Sequence, residues 1–210
     1  MKTYTIYLIR HGQTEDALQG RYIGQTDAPL SEAGAQALDA LRETMVYPPV
    51  AAVFSSPLRR CTATAARLYP GQTPIEIDGL KECSFGEFEG KNAEELKKSP
   101  VFPRWLAGEP GVAPPFGESS EAFGRRVCAT FEKIVEGLMK TGTADTAMIT
   151  HGGVIMALLA AYGLPELPMT EWRADPGCGY ALRVHPALWM RGKKLEVFSL
   201  FPFEKEELPD

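Results

Sequence analysis

Side chains able to bind and transfer a phosphate group stand at three points of this chain. Arg10-His11-Gly12 directly follows the apolar run 4–9, and His151-Gly152-Gly153 directly follows the apolar run 146–150. The third point is the pair Arg59-Arg60, at the start of a predicted helix. Guanidinium groups bind phosphate oxygens two at a time, and histidine is the side chain that changes protonation near neutral pH. These residue types therefore indicate phosphoryl chemistry.

The charges of these side chains narrow the choice of ligand. Two imidazoles and several guanidiniums in one pocket repel each other when charged, and unpaired buried charge is costly. A dianionic phosphate removes that repulsion, and surrounding cations lower the pKa of a histidine such as His11, which keeps it neutral and nucleophilic. A metal site is disfavoured because adjacent arginines repel a cation and a matching set of carboxylates or thiolates is missing. We therefore expect neither a metal nor another cofactor.

The runs before the two histidines predict the elements that position them. Both runs are short, β-branched and apolar, which is typical of strands buried on both faces of a parallel sheet. Ligands of open α/β sheets bind beyond the carboxyl ends of such strands. If the two strands are neighbours, His11 and His151 face one crevice. Further strands are predicted at 50–54, 75–78, 180–184 and 195–201, the last two joined by a turn at 191–193.

Helices with one apolar face alternate with these strands. Ser31 caps the first, which ends at Pro48-Pro49, and residues 154–162 continue as a helix after the second histidine. A long helix carries its apolar stripe at Phe123, Val127, Phe131, Ile134 and Leu138. The alternation of strands and helices predicts an α/β protein.

The helix that follows the second strand has an unusual first turn. Ser56 is predicted as its N-cap and Pro57 as its first helical residue, which places Arg59 and Arg60 in the first turn. Cations are unfavourable there because the helix N-terminus is already partly positive. The pair therefore indicates that an anion binds nearby. The alternative is that one arginine is exposed and the other is paired with a carboxylate.

Loops between these elements are long enough to carry function. Asn92 with Glu95 resembles a capping box, which predicts a short helix through Lys98. Glu82 lies in a glycine-bounded loop between Leu80 and Phe85. The segments predicted to be irregular are 13–30, 80–90, the proline-rich 99–118 and the frayed acidic tail 204–210.

Length, charge and cysteine content limit the class of protein. The chain has 210 residues and a formal net charge of -5, which suits one domain and does not favour nucleic-acid binding. Its four cysteines form no Cys-x-x-Cys pair, so we expect reduced thiols in the cytoplasm. Neither a signal peptide nor an apolar run long enough to cross a bilayer is recognisable, so no membrane partner is expected.

Six motifs, in order, resemble the histidine phosphatase superfamily, also called the phosphoglycerate mutase-like family. They cover about residues 4–160. The motifs are Leu8-Ile9-Arg10-His11-Gly12-Gln13-Thr14, Asp27-Ala28-Pro29-Leu30-Ser31, Ser55-Ser56-Pro57-Leu58-Arg59-Arg60-Cys61, Leu80-Lys81-Glu82 with Phe85-Gly86, Gly117-Glu118-Ser119, and Ile149-Thr150-His151-Gly152-Gly153.

The resemblance implies a fold and a role for each matching residue. The fold is a three-layer α/β sandwich with a mostly parallel central sheet and helices on both faces. His11 matches the nucleophile that becomes phosphohistidine, and Glu82 matches the proton donor to the leaving group. This role requires a protonated carboxyl group, so the pKa of Glu82 is expected to be raised by burial beside Phe85 and Phe88. Arg10, Arg60 and His151 match the groups that hold the phosphoryl oxygens, with His151 also counted as catalytic.

Three further points rest on the same resemblance. Arg60 is preferred to Arg59 because it precedes the small residue Cys61, as the arginine of the family motif does. Ala17 stands where many members carry an asparagine that donates to phosphate. Contacts with the rest of the substrate are expected from Gln13, Arg21 and Gly24.

Several activities are compatible with these motifs. The leading interpretation is a phosphomonoesterase acting on a small phosphorylated substrate, within one domain, 1–210, that has a small cap-like insertion at about 91–118. Alternatives are phosphoglycerate mutase-type phosphoryl transfer, a phosphatase that acts specifically on α-ribazole phosphate, or a non-catalytic binding module. The resemblance suggests α-ribazole phosphate, phosphosugars, phosphoglycerates or phosphoamino acids as substrates, and a monomer or homodimer as the assembly.

Overall fold

A seven-stranded sheet forms the centre of the protein in this computed structural model, which describes residues 2–205. Four neighbouring pairs are parallel, whereas β6 runs antiparallel to both of its neighbours. Residues 206–210 of the tail that was predicted to be frayed lie outside the described residues. In chain order the strands are β1 (Tyr4–Arg10), β2 (Ala52–Ser55), β3 (Ile75–Glu76), β4 (Asp145–Thr150), β5 (Gly163–Leu164), β6 (Gly179–Val184) and β7 (Leu195–Phe201).

The order of the strands brings the two histidine motifs together. The sheet runs β3-β2-β4-β1-β6-β7-β5, so β1 and β4 are parallel neighbours. Arg10 pairs with Thr150 at the end of this register, and His11 N–H donates to the Thr150 carbonyl at 2.9 Å. His11 and His151 therefore leave the same edge of the sheet side by side, as the sequence predicted.

Helices cover both faces of the sheet. Alternation along β1 turns Ile6 and Leu8 to one face, where they pack with the long helix α6 and with α7, and turns Tyr7 and Ile9 to the other, where α2 and α3 pack. This arrangement confirms the predicted α/β fold. In chain order the α-helices are α1 (Glu15–Leu18), α2 (Glu32–Thr44), α3 (Arg59–Leu68), α4 (Ala93–Leu96), α5 (Val101–Leu106), α6 (Ser120–Thr141), α7 (Gly152–Tyr162) and α8 (Pro186–Gly192).

The start of α3 differs from the sequence prediction. Its N-cap is Leu58, without a side-chain cap, rather than Ser56. The Ser56 hydroxyl lies 2.8 Å from Nε2 of His151, the N-cap residue of α7, and does not cap α3. The prediction that Arg59 and Arg60 occupy the first turn of this helix is confirmed.

Short helices occupy three segments that were predicted to be irregular. Helix α1 lies within the loop 13–30, α5 lies within the proline-rich 99–118, and α8 replaces the simple turn predicted at 191–193. Pro186 at the first position of α8 is a helix-start signal that the sequence prediction overlooked. The capping box of Asn92 and Glu95 is confirmed, although the helix ends at Leu96.

A separate apolar cluster lies beside the main core. Phe88, Leu96 and Phe102 are its buried members, and Tyr22, Phe85 and Trp105 pack against them. Ring centroids of Trp105 lie between 5.5 and 6.1 Å from those of the four other rings. We call these six residues the aromatic cluster. It joins α4 and α5 to the loop that carries Glu82.

Candidate active site

His11 is held as a neutral imidazole with one free nitrogen. Nδ1 lies 2.7 Å from the carbonyl oxygen of Gly12. A carbonyl only accepts, so Nδ1 carries the proton and Nε2 keeps its lone pair. Burial, with the charges of Arg60 and Arg10, lowers the pKa of His11 to about 3 against the opposing effect of the Gly12 contact. His11 is thus neutral at pH 7, as predicted, although burial contributes more than the neighbouring cations.

His151 lies against His11 with its ring edge-on, 5.1 Å between centroids. Its side chain is buried, Nε2 lies 2.8 Å from the Ser56 hydroxyl, and Nδ1 lies 3.3 Å from Nη2 of Arg60. Because a guanidinium only donates, Nδ1 accepts and Nε2 carries the proton. Burial and the neighbouring His11 and Arg60 keep the pKa of His151 well below its usual value. Direct contact with phosphate would require Nε2–H to leave Ser56.

Arg60 is oriented by neutral groups. Nη1 donates to the Thr26 carbonyl at 2.8 Å, and Nη2 donates to the Gly24 carbonyl at 2.6 Å. Its side chain is only 1% exposed, and within residues 2–205 it forms no ion pair. A buried guanidinium that no carboxylate contacts directly attracts an anion, because its remaining hydrogen-bonding capacity and its charge favour an anionic acceptor.

Arg10, which directly precedes His11, is also held by a backbone carbonyl. Nη1 donates to the Ala174 carbonyl at 2.8 Å, whereas Nε is buried and has no hydrogen-bond partner among residues 2–205. An unpaired buried donor is uncommon and calls for an explanation. A phosphoryl oxygen bound beside His11 would provide the missing acceptor.

Arg59 behaves differently from its neighbour in the sequence. Its Nε donates to Asp27 Oδ2 at 2.9 Å and its backbone N–H donates to Oδ1 of the same carboxylate at 2.7 Å. The Arg59 side chain is 64% exposed. The structure therefore places Arg60 beside His151 and assigns Arg59 to a surface ion pair.

Glu82 lies at the start of α7 with one backbone donor on each oxygen. Cys83 N–H and Gly153 N–H both donate to it at 2.9 Å. A Cβ at position 153 would collide with this carboxylate, so a glycine is needed there. Burial raises the pKa of Glu82, although the two amides and the charges of Arg60 and Arg10 oppose the rise. The predicted direction of this pKa shift is confirmed.

Sequence reasoning missed the residue that holds the backbone of Glu82. Arg126, on α6, forms two hydrogen bonds with the Glu118 carboxylate, at 2.8 and 2.7 Å. The same guanidinium donates to the carbonyls of Gly79, Lys81 and Glu82. The position of Arg126 on the polar side of an amphipathic helix gave no signal of this role.

The residues expected to contact the rest of the substrate have different partners and do not form one group. Arg21 pairs with Glu95 at 3.2 Å and donates to the Gly90 carbonyl, so it joins the loop 13–30 to α4. Gly24 supports Arg60 through its carbonyl, and the Gln13 amide lies 3.3 Å from the Thr14 carbonyl. Ala17 is exposed in α1. We call Arg10, His11, Arg60, Glu82 and His151 the phosphate site. Within residues 2–205, none of the side chains of Gln13, Ala17 and Arg21 forms a hydrogen bond with the phosphate site.

The phosphate site defines a class of enzyme. It combines an imidazole with a free lone pair, two guanidiniums that form no ion pair within residues 2–205, and a carboxyl group whose pKa is raised by burial. This set of groups suits phosphoryl transfer through histidine. Over residues 2–205, no three His, Cys, Asp or Glu side chains group in a way that could hold a metal ion. Nor is any helix in this range long and apolar enough to cross a membrane.

Comparisons with known proteins identify the family. The model of the histidine phosphatase superfamily (branch 1) matches residues 6–190. The chain is 27% identical to adenosylcobalamin/alpha-ribazole phosphatase of Salmonella typhimurium, over 85% of this chain and 90% of that protein. It is 32% identical to glucosyl-3-phosphoglycerate phosphatase of Mycolicibacterium vanbaalenii, over 86% and 83%. The chain therefore belongs to the histidine phosphatase superfamily.

A solved structure supports the same conclusion at the level of the fold. The alpha-ribazole phosphatase of Shigella flexneri superimposes with a TM-score of 0.80 at 25% identity, covering 94% of this chain and 96% of that one. The predicted phosphoglycerate mutase-like sandwich is confirmed. Family and relatives together make the protein a hydrolase of phosphate monoesters.

Proposed function

We propose that the protein hydrolyses the phosphate ester of a small metabolite through a phosphohistidine on His11. Nε2 of His11 attacks phosphorus, the bond from phosphorus to the ester oxygen breaks, and that oxygen leaves with a proton. Water then attacks the phosphohistidine and releases inorganic phosphate, which restores His11. The observation that carries this proposal is the neutral His11 with its lone pair on Nε2, beside two guanidiniums without carboxylate partners.

Arg10 and Arg60 bind the phosphoryl oxygens in this proposal. Phosphoryl transfer depends mainly on positioning and on stabilising the charge of the equatorial oxygens. The unpaired Nε of Arg10 provides one donor, and the guanidinium of Arg60 provides the charge. His151 keeps the ring of His11 in place and joins the phosphate contacts when its Nε2–H exchanges the Ser56 hydroxyl for a phosphoryl oxygen.

Glu82 acts first as an acid and then as a base. Its raised pKa favours the protonated form that the leaving oxygen needs. After that proton has left, the carboxylate accepts one from the attacking water, so the proton balance closes over the cycle. Two amide donors hold the carboxyl group at the start of α7, next to the second histidine.

We also propose that the segment 91–118 forms a small cap that selects the leaving group. It carries α4, α5 and part of the aromatic cluster, which connects it to Phe85 in the Glu82 loop. The names of the relatives point to different metabolites, so the substrate is proposed only as a small phosphate monoester. A cytoplasmic location and a monomeric or dimeric assembly stay predictions.

The experiment that tests this function is a phosphatase screen over a panel of metabolites. The panel contains α-ribazole phosphate, phosphosugars, phosphoglycerates and phosphoserine, each assayed with and without a chelator. We expect release of phosphate that the chelator does not reduce and that vanadate inhibits. Loss of activity in the chelator, restored by a divalent metal, would contradict the proposed pocket chemistry.

A further inference from the structure

Glu89 gathers an unusual number of donors around one carboxylate. Oε2 accepts from the backbone of Gly24 at 2.9 Å and of Thr26 at 3.3 Å, and from the Thr26 hydroxyl at 2.8 Å. Oε1 accepts from the backbone of Gln25 at 2.9 Å and of Phe85 at 3.0 Å. Three successive amides of the segment 24–26 thus point at a single side chain.

Two carbonyls of the same segment face Arg60. The carbonyls of Gly24 and Thr26 accept from the two terminal nitrogens of its guanidinium, at 2.6 and 2.8 Å. The segment 24–26 therefore lies between a carboxylate on its donor side and a guanidinium on its acceptor side. In the Gly24–Gln25 peptide both ends are engaged, because the Gln25 N–H donates to Glu89 and the Gly24 carbonyl accepts from Arg60.

This arrangement holds Arg60 in place without a carboxylate bound directly to its guanidinium. A direct carboxylate partner would neutralise Arg60 and compete with the phosphoryl group for its hydrogen bonds. Glu89 instead orients neutral carbonyls that hold Arg60, and it makes no direct ion pair with the guanidinium within residues 2–205. The packing is close, because a Cβ at Gly24 would collide with the Cys83 carbonyl and would lie 2.6 Å from Oε1 of Glu89.

We propose that Glu89 is a positioning residue, which sets the affinity for phosphate by holding the segment 24–26 against Arg60. The inference rests on the proposed role of Arg60 in binding the phosphoryl group. Glu89 itself touches neither substrate nor the reacting atoms, and it acts through the carbonyls of Gly24 and Thr26.

The first test compares Glu89→Gln with Glu87→Gln, an exposed glutamate in the same loop. An amide at position 89 accepts through one atom only and turns its own donors toward backbone N–H groups. We expect the inhibition constant of inorganic phosphate to rise about 10-fold or more in Glu89→Gln, as for loss of a charged hydrogen bond. Glu87→Gln should change it by less than about 2-fold. Equal inhibition constants in the two variants would overturn the proposal.

A double-mutant cycle with Arg60→Ala then separates positioning from a general structural role. If Glu89 acts through Arg60, adding Glu89→Gln to Arg60→Ala should raise the phosphate inhibition constant by less than about 2-fold more. A full additional loss in that background would overturn the inference and leave the proposed function intact. Unchanged phosphate binding in Arg60→Ala alone would instead overturn the proposed function.

A milder variant decides the matter if Glu89→Gln does not fold. Thr26→Val removes one exposed hydroxyl donor to Glu89 and keeps the backbone carbonyl that holds Arg60. We expect its phosphate inhibition constant to rise about 3-fold at unchanged melting temperature, since one hydrogen bond is lost. An unchanged inhibition constant in folded Thr26→Val would count against the proposal.

Discussion

The phosphate site and the aromatic cluster adjoin the same loop, yet different forces hold them together. Charged side chains of the phosphate site are fixed by backbone carbonyls and amides, as Arg60 and Glu82 show. Rings of the aromatic cluster, among them Trp105 and Phe88, are fixed by edge-to-face packing. Hydrogen bonds set directions to within a few tens of degrees, whereas apolar packing mainly sets shape.

The difference shows how this architecture can change substrate without changing chemistry. Atoms that make and break bonds need fixed directions, and the sheet edge and peptide dipoles supply them. A surface that selects a leaving group needs only a matching shape, which a few rings on short helices can provide. Substitutions in the phosphate site should therefore affect every substrate, and substitutions in the aromatic cluster should affect some more than others.

His11→Ala should produce the largest effect, because a covalent nucleophile acts only through its own atom. We expect less than about a thousandth of the wild-type kcat/KM on every substrate, with the fold retained. His185→Ala, at a half-exposed histidine that starts α8, is the control and should keep full activity. Labelled phosphate should stay on the wild type, and not on His11→Ala, after a quench that avoids acid. Substantial turnover by His11→Ala would rule out the covalent route.

The lowered pKa of His11 sharpens this prediction. A pKa of about 3 means that His11 loses its proton as pH rises past that value, so the reactive neutral form dominates at pH 4 and above. After correction for substrate ionisation, kcat/KM should show no decline between pH 6.5 and pH 4 from protonation of the nucleophile. A loss in that interval that reflects protonation of His11 would contradict the environment described here.

Glu82→Gln should have the next largest effect, and one that depends on the leaving group. An alkoxide needs protonation as it departs, whereas p-nitrophenolate leaves readily without it. We expect kcat/KM to fall roughly 100-fold or more on alkyl phosphates and roughly 10-fold on p-nitrophenyl phosphate. The protonated form is active, so wild-type activity should fall as pH rises through the raised pKa, and the variant should lose that limb.

Two results would remove Glu82 from the acid role. One is equal slowing on both kinds of substrate, which would mean that Glu82 only orients its neighbours. The other is a fall in the activity of Glu82→Gln at rising pH that matches the fall seen in the wild type. Either result would direct the same measurement to Glu87, since Glu89 is engaged by the segment 24–26.

Trp105→Ala tests the aromatic cluster, with a moderate effect. Loss of a half-buried indole should cost about 2 kcal/mol of unfolding free energy, which lowers the melting temperature by about 4–8 °C. We expect kcat/KM to change by different factors across the metabolite panel, while inhibition by vanadate changes less than about 3-fold. The exposed neighbour Leu106 supplies the control, Leu106→Ala. A uniform loss on all substrates would show that the two regions are not separable.

Arg59→Ala should have the smallest effect, although Arg59 stands beside Arg60 in the sequence. Its ion pair with Asp27 is exposed, and such pairs contribute about 0–1 kcal/mol. We expect kcat/KM within about 2-fold of wild type, against a loss of roughly 100-fold or more for Arg60→Ala, whose charge faces the phosphate. Comparable losses of kcat/KM in Arg59→Ala and Arg60→Ala would mean that both arginines bind the phosphoryl group.

The kind of chemistry and its positions along the chain can be predicted from local sequence patterns. Two apolar runs ending in His11 and His151 predict parallel strands, and parallel strands that are neighbours bring their carboxyl ends together. The amphipathic helices and the capping box of Asn92 follow from local periodicity and local hydrogen bonds. Such features can be predicted from the sequence because each depends on residues only a few positions apart.

The environment of each charged group depends instead on contacts between distant parts of the fold. Arg59 and Arg60 look alike in the first turn of α3, and contacts with residues more than 30 positions away separate them, Asp27 for one and the carbonyls of Gly24 and Thr26 for the other. The support that Glu89 gives to that loop is of the same kind. Contacts between distant loops follow no periodic pattern, because they depend on how the strands are ordered in the sheet and not on neighbours in the chain.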